Sequence, residues 1–247
     1  MSMDTHGEAS EIGMDAICRF SGHLAHDINN LLTPIIACGQ MLRDGIKKDD
    51  PLFFCADQVA EAGERFLALS RKLQVIGSRR SSGHVLAIAS LIPEGVKSAA
   101  LPTGTPITVA EPYLDRPDVV GGQVKLDMEQ FIFLTGELVR NAADAMPQGG
   151  VITVDVAVVG DVPDAPFASP AGWVVLSVAD QGTGMTPDVM ARIYEPYFST
   201  HGQERDKGLG LTLVYGIVRR AGGFIRCESQ PGQGTVFRVY FPGHPSS

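Results

Sequence analysis

Residue patterning predicts an α+β chain in two parts. The first is an antiparallel helical hairpin that pairs with a second copy into a four-helix bundle, and the second is an α/β sandwich. Three observations carry this. Two seven-residue apolar repeats, separated by a charged stretch with glycine and proline, open the 247-residue chain. A Ser-, Arg- and Gly-rich break follows. Beyond it, β-rich runs alternate with helical periodicity and glycine-rich turns, the signature of helices laid on a mixed sheet.

In order, residues 1–11 are polar and form a tail. Apolar or small residues then recur at Ile17, Leu24, Leu31 and Cys38, and at Ser21, Ile28, Ile35 and Leu42, which predicts a long helix to about Arg43 with one buried seam. Asp44 to Pro51 is charged, contains Gly45 and ends in Asp-Pro, a pairing that stops one helix and starts another. The second repeat runs through Leu52, Val59, Phe66 and Leu73, with Ala56, Gly63 and Ser70 between them. A lone hairpin cannot cover both of its apolar flanks, so a homodimer is expected. The hairpin is assigned to residues 12–80 and the following domain to 81–247, with Ser78 to Gly83 as linker.

In the second part, Val85 to Ile88 and Ile107 to Ala110 predict strands around a short helix over Ser90 to Ser98. Leu126 to Met146 has helical periodicity, with Phe131, Leu134, Leu138, Ala142 and Ala145 on one side, before Pro147, Gly149 and Gly150 break it. Val151 to Val159 and Trp173 to Ala179 are β-rich, and the Pro-rich Gly160 to Gly172 between them is expected to be a solvent-facing hairpin loop. Leu209 to Ala221 predicts a helix, and Phe224 to Glu228 with Thr235 to Phe241 a closing pair of strands.

The net charge of -8 offers no basic footprint for nucleic acid. Cys18, Cys38, Cys55 and Cys227 lack paired metal spacing and read as small buried or half-buried thiols of a reducing compartment, so no zinc site is expected. No signal segment and no membrane-spanning run is present in the sequence, and a cytoplasmic location is expected.

The first chemical candidate is the helix face bearing His26. In the heptad register it stands opposite the seam, where a core histidine would not be placed, and Asn30 is one turn on, with Asp27 at the flank. A neutral imidazole is a good nucleophile, and the neighbouring carboxylate can take its proton or fix its tautomer. Four patches in the second domain complement it. In ELVRNAADAM, Glu137 and Asn141 share a helix face and Asp144 follows; a carboxamide oxygen at Asn141 suits Mg²⁺ bridging phosphate oxygens. Asp180, Gly182 and Gly184 follow an apolar strand, where a carboxylate can accept from an adenine amino group while the glycines let backbone approach. Lys207, Gly208 and Gly210 open a helix whose free amides form an anion site. Gly232 and Gly234-Thr235 precede the last strand.

These stretches, in this order, resemble the boxes of two-component sensor histidine kinases. HDINN looks like the phosphoacceptor box, of the subgroup that reads His-Asp-x-Asn-Asn-Leu-Leu. ELVRNAADA looks like the N-box, DQGTGM the first glycine box, YEPYFST the F-box, and KGLGLTL and GQGT the later glycine boxes. The resemblance implies an ATPase fold shared with gyrase B and heat-shock chaperones, ATP and Mg²⁺ as cofactors, and a response-regulator receiver domain as partner. It implies that His26 accepts phosphate, that Asp27 is its acid/base partner and that Asn30 positions water for removing phosphate from the regulator. Asn141 would ligate Mg²⁺, and Asp180 would bind adenine. Asp144, Gly182, Gly184, Lys207, Gly208, Leu209, Gly210, Leu211 and Thr235 would complete the nucleotide site. Tyr194 to Lys207 would be a lid, with Phe198 anchoring its start. Where many N-boxes begin with asparagine this one has Glu137, the residue type that activates water in gyrase-like ATPases; it either polarises the metal shell or permits some hydrolysis. A gyrase-like ATPase and an anti-sigma serine kinase would share the nucleotide boxes but not the exposed His-Asp-x-x-Asn hairpin.

Overall fold

The structure is a computed structural model describing residues 31–77, 84–101, 104–116, 122–200 and 208–245. The chain divides into two compact units at residues 80/81. His26, Asp27 and Asn30, the predicted linker and Lys207 lie outside the described residues.

The first unit contains helix α1, described over residues 31–45, and helix α2, Pro51–Gly77. The turn between them is built as its residues require. Asp50 Oδ1 accepts from the Leu52 backbone N–H at 2.8 Å, and Pro51 opens the helix where no donor is needed. The contact between the helices uses small residues. Ile36, Ala56, Ala60 and Ser70 are buried, and Gly39 and Gly63 sit so close to the facing helix that a Cβ on Gly63 would stand 2.4 Å from Ile36 Cγ1. This corrects part of the predicted seam, and Cys38 and Cys55, expected to be buried or half-buried, are exposed. Leu31, Ile35 and Leu42, with Leu52, Val59 and Phe66, are exposed in the single chain, at 70%, 51%, 55%, 62%, 45% and 41%. The small positions of the second repeat close the hairpin, whereas the large positions of both repeats face outward. The physical reason is that a close helix pair needs small residues at its contact, and Ile36 and Gly39 answer Ala60 and Gly63 better than the bulkier row does.

The second unit is a two-layer sandwich. Strands β1 (His84–Ala87) and β3 (Gln123–Leu126) form an antiparallel pair. The main sheet runs β2-β4-β5-β7-β6, from Ile107–Ala110, Gly150–Val159, Trp173–Ala179, Thr235–Pro242 and Phe224–Ser229. Only β2 and β4 are parallel; the other neighbours are antiparallel. Helices α3 (Ile92–Ser98), α4 (Met128–Asp144), a one-turn α5 (Pro187–Met190) and α6 (Gly210–Arg220) complete it. Asp127 caps α4, its Oδ1 accepting from the backbone N–H groups of Glu129 and Gln130.

Strand alternation divides the sheet into two faces. Val174, Leu176 and Val178 of β5 stand opposite Phe241, Val239 and Phe237 of β7. This inner face receives α4, whose Phe131 meets Phe241 at 6.4 Å between ring centroids, and joins Leu134, Leu138, Ile152 and Ile217 in the core. The outer face is not bare. Trp173, Phe224 and Tyr240 cluster there, the last two rings stacked at 4.3 Å. The loop over residues 160–172 folds back on them, with Phe167 5.4 Å from Trp173. The loop predicted to face solvent therefore covers part of the sheet, because aromatic residues on the outer face give Phe167 something to pack on. Among the described residues no helix is long and apolar enough to cross a membrane.

Candidate functional site

Asp180 follows β5 directly, and the alternation that turns Val178 inward turns Asp180 the same way. Cys227 stands opposite Phe237, and Ser229 opposite Thr235, on that inner face. Four polar side chains thus meet at one end of an otherwise apolar face. The Asp180 backbone N–H donates to Thr235 O at 2.9 Å. Its carboxylate Oδ1 accepts from the N–H groups of Gly182 at 2.8 Å and Thr235 at 3.2 Å. Oδ2 has no hydrogen-bond partner among the described residues. Burial raises the pKa of Asp180 above the ordinary carboxylate value, and the two backbone hydrogen bonds offset only part of this. Burial first, and then the charges of Asp180 and Glu228, push the Cys227 thiol up to about 12.

The loop after Asp180 is packed too tightly for side chains. A Cβ on Gly182 would stand 2.5 Å from Ala145 O, at the end of α4, to which Thr183 N–H donates at 3.1 Å. Gly184 has φ +61°, and a Cβ there would meet Gln230 O at 1.9 Å; only glycine fits both restrictions. The β6–β7 turn is thereby locked to the loop.

At the other end of the site, α4 faces the start of α6. Glu137 is buried and ion-paired to Arg140, and a Cβ on Gly210 would stand 2.2 Å from Glu137 Oε2. Leu209, the N-cap of α6, makes no side-chain cap, so among the described residues no capping side chain competes with an anion for the leading amides. Asn141, one turn after Glu137, has its side-chain nitrogen buried with no hydrogen-bond partner among the described residues. Glu137 and Asn141, one turn apart on one face, both offer oxygen, the ligand type that Mg²⁺ takes, and among the described residues no hydrogen bond occupies the Asn141 side chain. Asp144 is half-buried in the last turn of the same helix.

Leu209 is buried and Leu211 half-buried where α6 begins. Gly208, at φ +96°, lies against the backbone of Tyr197 and Phe198, and its carbonyl accepts from Tyr197 N–H at 2.9 Å. Phe198 packs under the Arg192 guanidinium, 4.3 Å from its ring centroid. Tyr194 O accepts from Thr212 Oγ1 at 3.1 Å, and its ring meets Tyr215 at 5.0 Å. The structure thus gathers Asp180, Gly182, Gly184 and Thr235 at one end, and Glu137, Asn141 and Gly210 at the other; Phe198 and Gly208 brace the F-box. Of the lid, residues 201–207 lie outside the described residues.

Three residues at the site escape sequence reading. Ser229 and Cys227 look like ordinary strand residues, and only the β6–β7 register brings them to Asp180. Arg140 sits inside a box whose other members drew attention, and its i−3 spacing to Glu137 was the available signal.

Residues 127–245 match the model of the histidine kinase-, DNA gyrase B-, and HSP90-like ATPase family. The sensor kinase CckA of Brucella abortus (strain 2308) is 34% identical over 237 residues, a match covering 93% of this chain and 24% of that protein. The sensory histidine kinase/phosphatase NtrB of Rhodobacter capsulatus is 29% identical over 250 residues, covering 99% of this chain and 65% of that protein. The chain thus spans about a quarter to two thirds of the length of these two relatives. In fold it is similar to full-length ShkA in complex with AMPPNP, with a TM-score of 0.63 at 19% identity over 92% of this chain and 46% of that one. It is also similar to the Acinetobacter baumannii histidine kinase AdeS, with a TM-score of 0.53 at 17% identity over 88% of this chain and 97% of that one.

Proposed function

Residues 127–245 belong to the histidine kinase-, DNA gyrase B- and HSP90-like ATPases, and the chain is a relative of two-component sensor histidine kinases; from this premise we propose that it phosphorylates its own His26 with ATP and passes the phosphoryl group to an aspartate of a response-regulator receiver domain. The observation that carries the nucleotide half is the Asp180 carboxylate, clamped through Oδ1 by two backbone N–H groups with Oδ2 left to accept from the adenine amino group. Gly182, Gly184 and Thr235 shape that end of the site. The phosphates meet the open amides of α6 at Gly208, Leu209, Gly210 and Leu211, with Lys207 adding charge. Asn141, with Glu137 and Asp144 nearby on α4, would hold Mg²⁺, which supplies charge neutralisation for the phosphates. Phe198 anchors the start of the lid.

On the hairpin, a ring nitrogen of His26 attacks the γ-phosphorus, the bond to the β–γ bridging oxygen breaks, and ADP leaves. Asp27 takes the imidazole proton or orients the ring. Asn30, one helical turn on, positions a water for hydrolysis of the regulator's aspartyl phosphate. The outward row Leu31, Ile35, Leu42, Leu52, Val59 and Phe66 is the dimer face. We place the reaction in the cytoplasm, where ATP and receiver domains are available.

The test is incubation with γ-labelled ATP and Mg²⁺. The wild-type protein acquires label that is lost in acid and survives base. His26→Gln takes up none while still dimerising and binding nucleotide, and His23→Gln is labelled normally. Label that persists in His26→Gln but vanishes in His23→Gln moves the acceptor, and base-labile label makes the chain a serine kinase.

A further inference from the structure

Ser229 has one proton and three neighbours. Its Oγ lies 3.0 Å from Gly234 O, 2.8 Å from the Met185 backbone N–H, and 2.9 Å from Thr235 Oγ1. A carbonyl oxygen can only accept and a backbone N–H can only donate. Gly234 is buried and its carbonyl has no other hydrogen-bond partner among the described residues, so the Ser229 proton goes to it, while Ser229 Oγ accepts from Met185. Toward Thr235 it then offers a lone pair, and in this arrangement, the one that satisfies all three neighbours, the Thr235 hydroxyl is the donor. Having pointed its own proton at Ser229, Thr235 Oγ1 keeps only lone pairs for anything else. No other hydrogen bond occupies it among the described residues.

The consequence lies one residue away. The Thr235 backbone N–H holds Asp180 Oδ1, so the Thr235 hydroxyl and the Asp180 carboxylate are neighbours on the inner face. Both present acceptors and neither presents a proton. A ligand edge that brings N–H groups is matched by this pair, whereas one that brings a carbonyl oxygen meets lone pairs on both.

We propose that Ser229 is a specificity-determining positioning residue: by fixing the Thr235 hydroxyl as an acceptor, it makes the site take a purine with a 6-amino group and reject its 6-oxo counterpart. The inference rests on the reading of this site as a nucleotide site. Ser229 touches no base itself; it acts through the Thr235 hydroxyl on the base edge. Its second task is mechanical, since it ties the loop after Asp180 at Met185 to the β6–β7 turn at Gly234.

The two tasks separate in an affinity ratio. A fluorescent ATP analogue is displaced by ATP or by inosine triphosphate from the wild-type protein, Ser229→Ala, Ser229→Thr, Thr235→Val and the double variant Ser229→Ala/Thr235→Val. In Ser229→Ala the Thr235 hydroxyl is free to rotate and donate to a 6-oxo group. The preference for ATP over inosine triphosphate should then fall about five- to tenfold, the scale of one hydrogen bond regained. Ser229→Thr keeps the same donor and acceptors and should keep the preference. In the Thr235→Val background Ser229→Ala should change the ratio no further. If Ser229→Ala weakens both nucleotides equally, or shifts the ratio just as much without the Thr235 hydroxyl, the proposal is overturned and Ser229 is only a clamp. If Ser229→Ala does not fold, the proposal stands or falls on Thr235→Val, which must itself lower the ratio. Failure of the nucleotide reading looks different, since the wild-type protein would then displace neither ligand.

Discussion

Replacing Asp180 by Asn changes one atom that matters and keeps the rest. The Asn oxygen can still accept from the Gly182 and Thr235 N–H groups, at 2.8 and 3.2 Å in the native protein, so the loop retains its clamp. In place of Oδ2 stands an NH₂ that donates. The base loses a hydrogen bond to a charged acceptor, worth about 1.5–3 kcal/mol, which lowers nucleotide affinity roughly 10- to 150-fold. Stability moves the other way. Burial raises the pKa of Asp180, so the folded state holds that proton more tightly than the unfolded chain. The contribution of this group is therefore most favourable at low pH, and it declines as pH rises from the ordinary carboxylate range through the raised value. Above that window the fold carries a buried charge. Asp180→Asn removes that decline, and the nucleotide-free protein should melt at the same or a higher temperature at pH 7. Thermal unfolding between pH 4 and 7, paired with titration of a fluorescent ATP analogue, reads both quantities. Unchanged affinity would refute the base contact. Loss of affinity together with a clear drop in melting temperature would make the carboxylate a structural group instead.

Three further outcomes follow from the same geometry. Asn30→Ala should leave autophosphorylation within several-fold and slow dephosphorylation of the regulator by roughly 100-fold, the scale for a lost positioning group; regulator-phosphate decay in ADP measures it, and equal decay rates, with the wild type faster than the regulator alone, return Asn30 to the solvated surface. Gly210→Ala places a methyl 2.2 Å from Glu137 Oε2 and should cost about 1–3 kcal/mol of stability. Much of this should be recovered in Gly210→Ala/Glu137→Ala, a coupling that a double-mutant cycle in urea would detect. The Cys227 thiol, held at about 12, should carry roughly 1,000-fold less thiolate at pH 8 than an ordinary exposed thiol and react markedly more slowly with a disulfide reagent, and measurably faster in Asp180→Asn, because one of the charges pushing it up is gone.

Much of the second unit was readable because its strands carry a strong signal. The run Trp173–Leu176 is buried on both faces and Thr235, Phe237, Val239 and Phe241 alternate as the buried face of their strand, while the breaks at Pro147 and Gly149 mark the end of α4 sharply. Strand β3 and helix α5 were not found, because Gln123–Leu126 reads as the lead-in to α4 and the single turn Pro187–Met190 is too short to show a helical period. The hairpin was half readable. Heptad spacing locates the large apolar residues, yet the row that closes the hairpin is chosen by steric fit around Gly39 and Gly63, which hydrophobicity does not report. At the site, the glycine boxes announced Asp180, Gly182 and Gly184 through composition. The direction of the Thr235 hydroxyl depends on three partners distant in sequence and is set only by the register of β6 on β7.

The small-residue contact between α1 and α2 has a thermodynamic consequence. Ala56, Ala60, Gly39 and Gly63 let the helices approach, but they remove little hydrocarbon from water, whereas the side chains with most to gain, among them Leu31, Phe54 and Leu52, remain outside. A hairpin of this kind draws little of its cohesion from within one chain. Its helices should therefore melt at a temperature that depends on protein concentration, rising as mass action favours association, while the sandwich, with its own closed core, unfolds at a temperature indifferent to dilution. Two transitions in one chain, only one of them moving with concentration, would be the calorimetric trace of that division.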